Sequence, residues 1–142
     1  MNDDELRTAA RALETYNAQL ESLSRQVNLL RATREETFRA GRALEAIAKA
    51  KVGEEILVPV GASAFVRVTV TGKDALTGIG NGITIERPPA EAAAKMDADR
   101  AEVEAALQEA VKTMQEIQSY VQELSAAIQQ EYAQRRNASG TV

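Results

Sequence analysis

Glycine and proline, the residues that most interrupt regular backbone, are confined to the middle of this chain. Six of the eight glycines and all three prolines lie between Gly53 and Pro89. Before that stretch only Gly41 occurs, and after it the next glycine is Gly140. The chain therefore divides into two long uninterrupted segments flanking a short, turn-rich centre.

Both long segments carry a heptad repeat. In the first, roughly residues 3–51, Leu6, Ala9, Leu13, Tyr16, Leu20, Leu23, Val27 and Leu30 follow one another in alternating steps of three and four. The repeat weakens at Arg34 and Thr37 and resumes at Leu44 and Ala48, with Phe38 and Ile47 beside it. In the second, roughly residues 90–136, Met96, Val103, Leu107, Ala110, Met114, Ile117, Val121, Leu124 and Ile128 form the seam, broken by Arg100, Glu131 and Arg135. Such a seam is narrower than the stripe a globular helix buries, so each helix needs one close partner. At 1.5 Å per residue each would run roughly 70 Å.

The lengths match and the connection is short, which favours an antiparallel helical hairpin within one chain. One register sets Leu20 against Leu124, Leu23 against Val121, Val27 against Ile117 and Leu30 against Met114. A slip of one heptad, with Leu20 against Ile117, satisfies the pattern nearly as well, and sequence alone leaves the two open.

The centre, residues 54–87, has the other period. Ile56, Val58 and Val60 alternate with Leu57 and Pro59, and Val66, Val68 and Val70 alternate with Phe65, Arg67 and Thr69. Gly61-Ala62-Ser63-Ala64 separates the runs, predicting a first β-hairpin. Leu76–Ile79 and Ile83–Ile85 flank Gly80-Asn81-Gly82, and Asn-Gly between apolar runs predicts a second. Pro88 and Pro89 then start the second helix. The expected fold is mainly α with a small β part: a helix, two hairpins and a helix, in a single domain over residues 1–142.

Composition narrows the chemistry. Alanine supplies 26 of the 142 residues and aromatics only 4%, so a thin core is expected. With no Cys and no His, thiol chemistry, Ser-His triads and Cys/His zinc sites are excluded. A net charge of −4, with both signs spread along the chain, argues against broad nucleic-acid binding. The acidic start Met1-Asn2-Asp3-Asp4-Glu5 does not resemble a signal peptide, and no apolar run is long enough for a membrane span. A soluble cytoplasmic protein is the expectation.

The remaining motifs have mundane explanations. Gly78-Ile79-Gly80-Asn81-Gly82 precedes strand-like Ile83-Thr84-Ile85 rather than a helix, so a hairpin turn is favoured over a phosphate cradle. The pairs Glu35-Glu36, Glu54-Glu55 and Asp97/Asp99 lack any compact oxygen-rich loop, and Arg135-Arg136 reads as a solvated helix end. Arg34 and Arg100 in the seam predict a locally polar layer through which their stems snorkel. No nucleophile-base pair or metal cluster is visible, so neither an enzyme nor a cofactor is expected.

Four short strands bury little alone, and isolated hairpins are marginal in water. A lone chain would expose apolar faces and unpaired strand edges, so the hairpins are expected to pair with hairpins of other chains. The expected oligomer interface comprises Ile56, Val58, Val60, Phe65, Val66, Val68, Val70, Ile79, Ile83 and Ile85.

In this order, a heptad helix, Ile56-Leu57-Val58-Pro59-Val60-Gly61-Ala62, Ala64-Phe65-Val66-Arg67-Val68, Gly78-Ile79-Gly80-Asn81-Gly82-Ile83-Thr84-Ile85 and a second heptad helix, the sequence resembles the α subunits of archaeal-type prefoldin. The resemblance covers nearly the whole chain, and two hairpins match the α class, since β-class subunits carry one. Arg34 and Thr37 in the seam depart from the family pattern.

The resemblance implies a hexamer of two α and four prefoldin β subunits, whose hairpins build a β-barrel platform carrying antiparallel coiled coils. It further implies ATP-independent capture of non-native polypeptides at the coiled-coil tips and delivery to a group II chaperonin, with no nucleic acid or membrane involved. The tips in this chain are the two termini, where Leu6, Leu13 and Tyr16 are expected near Ile128 and Tyr132 as client-binding residues. A structural tether that spaces two folded partners is the alternative.

Overall fold

The structure, a computed structural model, describes residues 1–140. Helix α1 spans Asp3–Lys49 and helix α2 spans Pro89–Ser139. Between them lie β1 (Glu55–Gly61), β2 (Ala64–Thr69), β3 (Ala75–Gly80) and β4 (Ile83–Arg87). The order of helix, two antiparallel hairpins and helix is the one the punctuation of the sequence predicts.

Local chemistry sets the helix ends. Asn2 caps α1: its Oδ1 accepts from the Glu5 backbone N–H at 2.8 Å, while Glu5 Oε2 accepts from the Asn2 N–H at 3.0 Å. This reciprocal capping box, with Asp3, Asp4 and Glu5 in the first turn, satisfies orphan donors and suits the helix dipole. At α2, Pro89 occupies the first helical position, where no N–H is needed, and the Ala92 N–H donates to the Pro88 carbonyl at 3.0 Å.

The chain forms two compact units, Met1–Leu30 with the segment from Ala106 onward, and Arg31–Ala105. The first is helical. Its core is Val27, Leu107 and Ala110, with Leu30, Val111 and Met114 packed against them. Tyr16 stacks on Tyr120 with ring centroids 5.9 Å apart. No large side chain in the described chain is completely enclosed, as expected where two helices are the whole thickness.

In the second unit, Arg34 Nη1 donates to Glu104 Oε2 at 3.2 Å, and the Arg100 guanidinium lies 4.9 Å from the Phe38 ring centroid. Gly41 faces Met96, whose Cβ lies 3.4 Å from where a glycine Cβ would be.

These contacts, taken unit by unit, settle the helix register, and it is the slipped one. Val27 meets Leu107 and Ala110, not Ile117, and Leu30 packs into the same cluster. The same offset sets Leu20 opposite Ile117 rather than Leu124. The physical reason lies in the residues that interrupt the seam. The other register would carry Arg34 past Glu104 toward Ala110 and Arg135 away from Asp3, so that both would lose their partners on the opposite helix.

The two hairpins are separate two-stranded sheets with the same register, residue for residue. Leu57 pairs with Arg67 as Leu76 pairs with Glu86, and Pro59 with Phe65 as Gly78 with Thr84. Each has a bulge before a two-residue turn, at Gly61↔Ala64 and Gly80↔Ile83. Both turns place two residues at positive φ: Ala62 (50°) and Ser63 (62°) in the first, Asn81 (53°) and Gly82 (73°) in the second. This is the twist that matches right-handed strands.

Candidate assembly surface and helix-end site

Strand alternation gives each hairpin two faces. On one face of the first hairpin, Val70 is buried and Ile56, Val58 and Val68 are half-buried, while Val66 is exposed. Ile56, Val68 and Val70 line a cavity of about 430 Å³ with Ile47, Pro88 and Pro89. On the other face Leu57 is 59% exposed and Phe65 61%. The bulge residues Val60 and Ile79 are exposed, as are Leu76, at 68%, and Ile83, while Ile85 is half-buried.

The expected interface residues thus split by exposure. Ile56, Val58, Val68, Val70 and Ile85 are at least half-covered by the chain itself. Val60, Phe65, Val66, Ile79 and Ile83 stand in the open. Leu57 and Leu76, equally exposed, belong with the open set. Their period-2 positions beside Pro59 and Gly78 signal this face in the sequence. Seven large apolar side chains exposed on so short a segment are more than scattered surface hydrophobes require. Polar contacts on this surface are few: Arg67 Nη1 donates to Glu55 Oε1 at 3.2 Å across the strands.

At the ends of the first unit, Leu6 is 8% exposed, Leu13, Tyr16 and Ile128 are half-buried, and Tyr132 is 54% exposed. Tyr16 is held against Tyr120, so it does not sit beside Tyr132, which lies about 18 Å further along α2 at 1.5 Å per residue. Tyr120 is itself 54% exposed.

The polar seam residues form a clasp that periodicity alone did not reveal. Arg135 donates from Nη1 to Asp3 Oδ1 at 2.6 Å, from Nη2 to the Met1 carbonyl at 3.0 Å and from Nε to Glu131 Oε1 at 3.1 Å. The Met1 amino group lies 3.4 Å from Glu131 Oε2. The Arg135 hydrogen bond holds the Glu131 carboxyl below its ordinary value of 4.5, and Asp3 and then Glu131 raise the Arg135 guanidinium in return. Charged residues at successive seam positions near one end of a coiled coil were the available signal.

Among the described residues no helix is long and apolar enough to cross a membrane, and no group of three or more acidic, Cys or His residues is placed to hold a metal ion.

A family model described as prefoldin subunit matches residues 16–134. The chain is 34% identical over 93 residues to the prefoldin subunit alpha of Methanothrix thermoacetophila, covering 65% of this chain and 61% of that one. It is 39% identical over 83 residues to the prefoldin subunit alpha of Methanopyrus kandleri, covering 58% and 53%. The matched stretch is thus less than two thirds of these relatives' length. Among solved structures, filamentous PFD from Methanocaldococcus jannaschii superposes with a TM-score of 0.60 at 23% identity, over 82% of this chain and 98% of that one, which shows a shared fold.

Proposed function

Since the chain belongs to the prefoldin family, we propose that it is an α-type subunit of a co-chaperone complex that holds non-native polypeptides without ATP. The observation that carries the reading is the set of exposed apolar side chains on the hairpins, Leu57, Val60, Phe65, Leu76, Ile79 and Ile83, which water would penalise in a free chain. Hairpins of neighbouring subunits cover them and build a platform, in the α2β4 arrangement that the resemblance in sequence implies. The helix ends then project as separate contact points.

Client contact falls to the side chains near those ends that keep apolar area in solvent, foremost Tyr132, with Tyr16, Leu13 and Ile128 offering part of theirs. Leu6 supports the packing beneath them. Contact of this kind is non-directional, and several weak tips act together through effective concentration. The role requires no catalytic group. The captured chain passes to a group II chaperonin, in the cytoplasm.

The test combines mass and activity. The purified chain, mixed with a prefoldin β subunit, should form a complex that suppresses aggregation of a denatured enzyme. Removal of residues 1–12 and 130–142 should reduce suppression and leave the mass of the platform unchanged apart from the deletion. Full suppression by the trimmed complex would refute client binding at the helix ends, and failure to assemble would refute the platform.

A further inference from the structure

Within the first unit, one flank of the coiled coil is free of charge along α1. From Thr8, steps of four and three lead through Ala12, Thr15, Gln19, Ser22 and Gln26 to Leu29, a row that a heptad repeat keeps on one side of the helix. All are exposed except half-buried Ala12, and Leu29 presents 68% of its surface. The charges that α1 carries between these limits, Arg11, Glu14, Glu21 and Arg25, lie off the row.

Contacts place part of α2 on the same flank. Leu124 joins Glu5, Thr8, Ala9 and Ala12 around a groove of about 490 Å³, which Asp4 also lines. Tyr120, one turn before Leu124, stacks on Tyr16 and keeps 54% of its surface in solvent. Glu116 and Glu123 stand four residues before and three after Tyr120, so they flank it on the helix surface, and Glu109 continues their line one heptad earlier. None of the three glutamates has an ion pair within 4.0 Å among the described residues, although Lys112 lies between Glu109 and Glu116.

The flank is therefore uncharged along its middle, apolar at Tyr120, Leu29 and the groove, and edged by carboxylates. From Ala9 to Leu29 it is about 30 Å long, which roughly nine residues of extended chain span. Unpaired carboxylates repel an acidic segment. A basic one gains twice, from apolar contact with Tyr120 and Leu29 and from charge pairing at the edge, and an aromatic face attracts cations besides. We propose that this flank seats extended segments of non-native polypeptide in which apolar side chains are interspersed with Lys or Arg. The inference rests on the client-holding reading above and gives it a second contact surface and a client chemistry.

The test uses complexes of the full-length chain with a prefoldin β subunit. They are titrated with two labelled, unstructured peptides that share the same leucines, one carrying lysines between them and the other glutamates. The β-subunit arms are the same in every sample, so the readout is the change between variants of this chain. Glu109→Gln, Glu116→Gln and Glu123→Gln together should weaken binding of the lysine peptide about fivefold at low salt and leave the glutamate peptide no weaker. Gln108→Lys, Gln115→Lys and Gln122→Lys together change the net charge equally, but about 100° further around the helix, and should alter lysine-peptide binding by less than about twofold. Leu29→Gln, at an exposed position, should weaken both peptides. Equal losses in the two triple variants would assign the preference to net charge and overturn the flank. No loss in either, tighter binding of the glutamate peptide by the unaltered complex, or unchanged binding after Leu29→Gln would overturn it as well. In each case, undiminished suppression of aggregation of a denatured enzyme leaves the holding function standing, whereas no suppression by the unaltered complex removes the reading on which the flank rests.

Discussion

Arg34 on α1 and Glu104 on α2 meet at 3.2 Å, at a seam position where periodicity calls for an apolar residue. Together with Phe38 beneath the Arg100 guanidinium, this pair distinguishes two helix registers that the apolar residues fit almost equally. Exposed ion pairs add little stability, and both side chains here are more than a third exposed, so Arg34→Glu is expected to cost no more than about 1 kcal/mol. Arg34→Glu combined with Glu104→Arg should recover it, as read by urea unfolding. A double variant no more stable than the single would remove the pair as a register determinant.

The first hairpin is strained where the second is not. Ala62 and Ser63 both adopt positive φ, a region that costs a residue with a Cβ about 1–2 kcal/mol. The second hairpin fills the corresponding positions with Asn81 and Gly82, which tolerate it. Ala62→Asn with Ser63→Gly should therefore raise stability by about 1 kcal/mol in thermal unfolding of the assembled complex, whereas Ala62→Val should lower it.

Gly72 is required twice over. Its φ is +77°, and a Cβ there would sit 2.8 Å from Val52 Cγ2. Gly72→Ala should cost about 2 kcal/mol, and Val52→Ala should relieve only the steric part, leaving the backbone penalty in denaturant titrations. Complete rescue by Val52→Ala would show that the clash alone matters.

The helix-end clasp carries a pH signature. Because the Glu131 carboxyl is held below 4.5 in the folded chain, its contribution is present above the ordinary carboxylate range and is lost as pH falls through the lowered value. Hydrogen exchange of the last turns of α2 should accelerate on acidification below about pH 4.5. Glu131→Gln should exchange faster at neutral pH and lose that part of the dependence. An unaltered profile in Glu131→Gln would assign it elsewhere.

If exposed aromatic surface captures clients, Tyr132→Ser should weaken suppression of aggregation roughly severalfold without altering the mass of the complex, since the side chain is 54% exposed and packs little. Leu6→Ala should instead act through stability, lowering the unfolding midpoint by about 2 kcal/mol equivalent, because that side chain is 8% exposed. Equal losses from both at unchanged stability would dissolve the distinction.

The elements were legible because each rests on local chemistry. Pro88 and Pro89 can start a helix but not continue one, Asn81-Gly82 suits a tight turn, and a three-four repeat leaves an α-helix one apolar stripe. The first turn was harder to read in detail, since Ala62-Ser63 gives no sign of the positive φ that the hairpin imposes on it. The clasp around Arg135 was hidden for a related reason: its partners Asp3 and Met1 lie at the far end of the chain.

Order along the chain, helix against strand, and the antiparallel return of one helix on the other are thus determined by the amino-acid sequence alone, because solvation and backbone preference act over a few residues. The heptad register, the split of the hairpin residues into covered and exposed positions, and the pairing of seam charges were decided only in three dimensions. A repeat of seven looks the same after a shift of seven, so the apolar pattern is nearly degenerate. Only charges that occur once per helix, meeting or missing their partners, lift that degeneracy.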